Sequence, residues 1–204
     1  MSELPEHVVR NRASWDAGAA DWVAPGRRDW ARDEPWWGIF TVPESQIHVL
    51  PDDLDGLDTI ELGCGTGYVS AWLARRGARP VGIDNSERQL ATARLLQEEF
   101  ELDFKLVHGN AEATPFQDAS FDFAISEYGA SIWCDPYKWI PEAARILRPG
   151  GRLVFLVDTP LAILCAPETG ASRRASSCCA RTSACIASSG PKTTRSSSIC
   201  RTAS

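Results

Sequence analysis

From residue 58 to residue 157 the chain alternates short apolar runs with longer amphipathic stretches. The apolar runs are Thr59–Leu62, Pro80–Ile83, Phe104–Val107, Phe121–Ser126 and Arg152–Val157, each of strand length and bounded by turn residues. Between them lie helical patterns. One spans Tyr68–Arg76 and stops at Gly77. A second opens at the N-cap residue Ser86 and places Leu90, Ala93, Leu96 and Phe100 on one face. A third covers Pro136–Leu147 and is closed by Arg148-Pro149-Gly150-Gly151. Strands alternating with helices predict an α/β fold, a doubly wound and mostly parallel sheet. Right-handed crossovers put its helices on both faces.

The two ends differ from this middle. Residues 1–50 hold five of the eight tryptophans, Trp15, Trp22, Trp30, Trp36 and Trp37, among Asp, Arg, Gly and Pro. Short helices and turns are expected there, including a helix over Glu44–Leu50 between Pro43 and Pro51. Residues 171–204 contain ten serines, four threonines and six alanines, no aromatic residue, and only Ile186 and Ile199 as large aliphatics. Such a segment buries too little apolar surface to offset roughly 1–2 kcal/mol of backbone entropy per residue, so disorder is expected. The organisation read from this is an N-terminal segment over 1–50, an α/β domain over 51–167 and a low-complexity tail over 168–204.

Charge and cysteine placement narrow the class. The 204 residues carry a net charge of −6, but the first 170 hold 15 basic against 27 acidic side chains. An acidic body argues against DNA, whose phosphates call for a basic surface. The start MSELPEHVVRNR lacks the apolar stretch of a secretory signal, and no run reaches the length of a membrane span. Four of the seven cysteines crowd into the tail without zinc-site spacing. A reducing, cytoplasmic setting with no metal site and no membrane partner is expected.

The chemistry concentrates in Glu61-Leu62-Gly63-Cys64-Gly65-Thr66-Gly67, between the first strand and its helix. Glycines there let a ligand approach the backbone closely across the sheet's carboxyl end. Val81-Gly82-Ile83-Asp84 follows, a strand ending in an acid that can accept hydrogen bonds from vicinal ribose hydroxyls. Then come His108-Gly109-Asn110-Ala111-Glu112, Ser120-Phe121-Asp122-Phe123-Ala124-Ile125-Ser126-Glu127 and Ile146-Leu147-Arg148-Pro149-Gly150-Gly151. In this order and spacing the five segments resemble the class I S-adenosylmethionine-dependent methyltransferases, over residues 58–158. The resemblance implies a Rossmann-like fold, S-adenosylmethionine as cofactor, and cofactor contacts from Glu61, Gly63, Cys64, Gly65, Gly67, Asp84, Asn85, Asn110, Ala111, Glu112 and Glu127. It reads Cys64 as a small residue tolerated in the turn, not a nucleophile, and His108 as structural. The N-terminal segment is expected to lid the site. There Trp36 and Trp37 are the candidates for touching a ligand, with core packing as the alternative.

Methyl transfer from a sulfonium is an in-line displacement that asks mainly for alignment and dryness. Glu127 and Tyr128, at the end of the fourth strand, are the residues expected to orient an acceptor. Tyr128 and Trp133 are placed to offer cation–π contacts. No N/D-P-P-Y string is present, so the acceptor expected is a small molecule. Two other readings stand beside this one: a binding module that keeps the cofactor without a complete acceptor pocket, and a nicotinamide-dependent reductase, which the glycine spacing disfavours. The family sheet has the strand order 3-2-1-4-5-7-6, and strands six and seven are missing from this sequence. A one-base slip of the coding frame would account for that. With suitable third bases, the stretch from Cys178 to Arg195 reads in another frame as LLRPYFGMHRFEWPEDDS, aromatic and acidic where the tail is neither. The fifth strand would then be an apolar edge, expected to recruit a second copy by self-association.

Overall fold

The computed structural model describes residues 4–159. Its first layer is N-terminal: α1 (Glu6–Gly18), a 3-10 turn (Ala19–Trp22) and α2 (Val23–Trp30), followed by the short hairpin β1 (Trp36–Trp37) and β2 (Val42–Pro43) and the single turn α3 (Glu44–Ile47). The central elements are β3 (Asp58–Leu62), α4 (Tyr68–Arg75), β4 (Arg79–Asp84), α5 (Glu87–Glu99), β5 (Lys105–His108), β6 (Phe121–Glu127), α6 (Ala130–Trp133), α7 (Pro136–Ile146) and β7 (Leu147–Leu156). The sheet order is β5-β4-β3-β6-β7, every pair parallel, which in strand sequence is the expected 3-2-1-4-5.

Side-chain alternation along β3 divides the core. Ile60 and Leu62 pack with Trp139, Ala143 and Ile146 of α7. The intervening Glu61 points to the other face, where its carboxylate meets Ser70 of α4. Both faces are covered, so β3 is buried almost throughout, as a central parallel strand must be. On the α4 side, Val69 and Leu73 pack with Phe123 and Ile125. Trp30, fully buried, joins Ala71, Leu96 and Phe104 in a further cluster and so seats the N-terminal layer on α4 and α5. Fully burying an aliphatic side chain of this size contributes roughly 1.5–3 kcal/mol.

Several boundaries differ from the periodicity reading. The helix expected over Glu44–Leu50 ends at Ile47, because His48 adopts a left-handed φ of 50°. The buried Glu44 carboxylate accepts the N–H groups of Val49 and Leu50 and the Trp37 indole N–H, which holds the chain in that turn. The third central strand is shifted by one residue, to Lys105–His108. The loop expected at Arg148–Gly151 is part of β7. There the register jumps from Phe121↔Leu147 to Phe123↔Arg152, and the extra residues bulge past Asp122. Arg148 pins the bulge by pairing with both Asp122 and Asp58. The β1–β2 hairpin, two residues a side, is too short for a periodic signal. The N-terminal segment and the α/β domain, read from the sequence as separate, form one compact unit up to Val157. The expectations for the tail and for family strands six and seven lie outside the described residues. Among the described residues, no helix is long and apolar enough to cross a membrane.

Candidate active site

The carboxyl ends of β3, β4, β5 and β6 open into one cavity. Its floor is backbone. The N–H groups of Gly63 and Cys64 both donate to the Ile83 carbonyl, at 2.8 and 3.0 Å, tying the end of β3 to β4. Gly65 N–H donates to Asp84 Oδ2 at 2.8 Å, and Ser86 N–H donates to Asp84 Oδ1 at 2.7 Å. The acid at the end of β4 therefore clamps the glycine loop.

The glycines of that loop serve different ends. At Gly65 (φ 53°) a Cβ would meet nothing within 4 Å and would stand in the open cavity. At Gly63 a Cβ would come within 2.5 Å of Ala130 N, and one at Gly129 would fall on the Gly63 carbonyl oxygen. The loops after β3 and β6 thus cross in direct backbone contact, with no room for a side chain between them. Ser126 reinforces the crossing by donating from Oγ to Leu62 O and accepting from Ser131 N–H.

Four carboxylates line the cavity: Asp29, Glu61, Asp84 and Glu127. Among the described residues, no Lys, Arg or His lines it with them. Glu61 Oε2 accepts both N–H and O–H from Ser70, at 2.7 and 2.6 Å. Burial nevertheless pushes the Glu61 carboxyl up to about 8, with smaller upward contributions from Glu127 and Asp84. Glu127 accepts the Gly38 N–H at 3.0 Å, and burial raises its pKa, as it does that of Asp84. An apolar, carboxylate-lined cavity of this kind favours a ligand carrying positive charge.

The roof comes from the N-terminal layer. Arg12 donates to Asn85 Oδ1 from two nitrogens, and Asn85 Nδ2 donates to Val8 O. Asp16 accepts from Ser86 Oγ at 2.6 Å, and Asn11 Nδ2 donates to Trp133 O. Trp15 lies between Trp22 and Trp133, with ring centroids 5.5 and 5.3 Å away, and all three rings line the cavity.

Ten of the twelve residues singled out in the sequence line this cavity: Glu61, Gly63, Cys64, Gly65, Asp84, Asn85, Asn110, Ala111, Glu127 and Tyr128. Two do not. Gly67 adopts φ 75° as the N-cap of α4 and backs onto Trp30, Ala93 and Phe104, so its role is the turn. Glu112 turns away. Its Oε1 accepts from Asp135 N–H and from His7 Nε2, joining α1 to the start of α7. Trp36 and Trp37 stay outside as well. Trp37 is buried against Glu44, while Trp36 lies under the Arg32 guanidinium. The Cys64 thiol is driven up by burial and by nearby Asp84 and Glu61, the opposite of an activated nucleophile. His108 Nε2 meets the Asn85 carbonyl at the surface. Trp15, Trp22, Asp29, Tyr68 and Gln89 line the cavity without having been singled out. The seven-residue spacing of Trp15 and Trp22 was the available signal.

The model of a family described as a methyltransferase domain matches residues 60–155. A protein of Mycolicibacterium smegmatis named "Probable S-adenosylmethionine-dependent methyltransferase" is 35% identical over 135 residues, 66% of this chain and 49% of the relative. A demethylmenaquinone methyltransferase of Lactococcus lactis is 37% identical over 108 residues, 51% of this chain and 43% of that protein. The chain therefore spans about half the length of these curated relatives. Among solved structures, an S-adenosylmethionine-dependent methyltransferase from Mesorhizobium loti superposes with a TM-score of 0.52 at 27% identity, over 59% of this chain and 55% of that one.

Proposed function

We propose that this chain, which belongs to the class I S-adenosylmethionine-dependent methyltransferases, transfers a methyl group from S-adenosylmethionine to a small-molecule acceptor. One observation carries the reading: the cavity at the strand ends has carboxylates as its only charged lining among the described residues, a match for a cationic donor. The fit extends to the glycine loop, where the space a Cβ would occupy at Gly65 is open. When bound, the cofactor supplies a methyl group made electrophilic by a positively charged sulfur.

The chain's own residues do the rest. The backbone from Gly63 to Gly65 gives close approach, and Asp84 with Asn85 receives the ribose. Asn110 and Ala111 flank the adenine side. Glu61 and Glu127 favour the positive charge, and Glu127 with Tyr128 orients the acceptor from the end of β6. Trp15 and Trp22 cover the cavity as a lid and exclude water, which strengthens every charge interaction beneath them. The relative named for demethylmenaquinone supports a small organic acceptor, and the acidic body supports one that is not DNA. A cytoplasmic setting belongs to the same reading and accords with the free thiols of Cys64 and Cys134.

A second reading is favoured by the share of the relatives this chain spans: a cofactor-binding module short of a complete acceptor pocket. Among the described residues, β7 pairs only with β6 and exposes Phe155, so in that form two copies join edge to edge. Calorimetric titration with S-adenosylmethionine, S-adenosylhomocysteine and NAD, paired with a methyl-release assay, tests both. Binding of the first two with methyl release supports the enzyme, and binding without release supports the module. A chain that binds NAD alone is neither.

A further inference from the structure

Resting on the cofactor reading above, we infer that Gln89 is a second reader of the cofactor's ribose diol, working beside Asp84. Gln89 lines the cavity and is only 2% exposed, yet neither its amide nitrogen nor its amide oxygen has a hydrogen-bond partner. A buried amide left this way costs stability, because both groups have been taken from water without replacement.

The local helix start explains how the side chain came to be unpartnered. Ser86-Glu87-Arg88-Gln89 has the spacing of a capping box, in which the third helical residue reaches back to the N-cap N–H. The first half is formed: Gln89 N–H donates to Ser86 Oγ at 3.2 Å. The second half is not, because Ser86 N–H is already taken by Asp84 Oδ1 at 2.7 Å. Asp84 has displaced the Gln89 amide from its usual partner and left it facing the cavity.

The two side chains are complementary. The Asp84 carboxylate only accepts, and each of its oxygens already accepts one backbone N–H. A primary amide donates and accepts. A vicinal diol also needs both, since each hydroxyl can give its proton to Asp84 and still accept from a donor. Gln89 is the cavity-lining amide on the same hydrogen-bonded turn as Asp84, through Ser86.

The test compares Gln89→Met and Gln89→Glu with the wild type by thermal unfolding without ligand. Calorimetric titration with S-adenosylhomocysteine and its 2′-deoxy and 3′-deoxy analogues follows. Gln89→Met is expected to melt at the wild-type temperature or above, since it removes an unpartnered amide, and to bind S-adenosylhomocysteine roughly ten-fold or more weakly. It should lose less than the wild type does when a hydroxyl is removed from the ligand. Gln89→Glu, which keeps an acceptor but no donor, should fall short of wild-type affinity as well. Gln89→Met that binds with wild-type affinity, or that loses affinity equally for all three ligands, overturns the assignment. A wild-type protein that binds none of them overturns the cofactor reading itself.

Discussion

The floor and the roof of the cavity are held by different kinds of bond. On the floor, backbone meets backbone: Gly63 and Cys64 on Ile83, with Gly65 tied to a single carboxylate. On the roof, side chains do the holding: Arg12 on Asn85, Asp16 on Ser86, His7 on Glu112. Backbone contacts lose little entropy when they form and leave no rotamer to escape through. Side-chain contacts of long residues such as Arg12 carry a larger entropy cost and are worth less net. A ligand must enter through one of these layers. The comparison says it enters through the roof, and that the floor is already shaped before it arrives.

Gly129→Ala should break the floor most severely. The new methyl group would land on the Gly63 carbonyl oxygen, and neither backbone has space to withdraw. A loss of roughly 1–3 kcal/mol or more is expected from chemical denaturation, together with loss of cofactor binding. Asp84→Ala removes the clamp on Gly65 and Ser86 and, on the proposed role, a partner of the ribose. Calorimetry should show affinity lowered by about 1.5–3 kcal/mol for each charge-assisted hydrogen bond lost. Unchanged affinity in a folded Asp84→Ala protein would remove this residue from the site.

The pH dependence comes next in size. Burial raises the Glu61 carboxyl from the ordinary carboxylate range to about 8 in the folded chain. A raised pKa means the folded state holds a proton that the unfolded state has released. The associated stability is fully present below the unfolded value near 4.5 and is lost as pH rises through about 8. Unfolding measured without ligand from pH 5 to pH 9 should show that decline, with a slope of at most about one proton from this group. A positively charged ligand favours the ionised carboxylate. The preference for S-adenosylmethionine over S-adenosylhomocysteine should therefore grow with pH across the same window.

Roof variants should have the smallest effect on folding. Arg12→Ala frees Asn85 from α1, and its effect on stability should stay within about 1 kcal/mol, because the pair is only partly buried. Its signature should be kinetic instead: faster release of S-adenosylhomocysteine in stopped-flow fluorescence, read from Trp15 and Trp22. A roof variant that unfolds the protein while leaving release unchanged would reverse the comparison.

This division also explains what could be read in the chain without coordinates. The floor was legible because a backbone that approaches a ligand, or another backbone, excludes side chains, and glycine at 63 and 65 is the visible trace. Gly129 belongs to the same contact but stands alone between Tyr128 and Ala130, with no pattern around it. The roof was largely illegible. Trp15, Trp22, Trp36 and Trp37 are the same residue in the same polar neighbourhood, and only packing decides which two face the cavity. Glu112 carried the family motif yet points elsewhere. Its carboxylate found Asp135, 23 residues on, and His7, 105 residues back, and neither partner is visible from its neighbours.

The crossing of Gly63 and Gly129 has a bearing on alignment. Where two loops are spaced by side chains, a change of rotamer can shift their separation by a large fraction of an ångström. Here the spacing is set by the radii of main-chain atoms, which do not adjust. The end of β3, which the reading above assigns to the donor, and the end of β6, assigned to the acceptor, are thus referenced to one fixed datum. In-line transfer tolerates little error in the angle between donor and acceptor. A contact made only of backbone supplies that angle without depending on how any side chain packs.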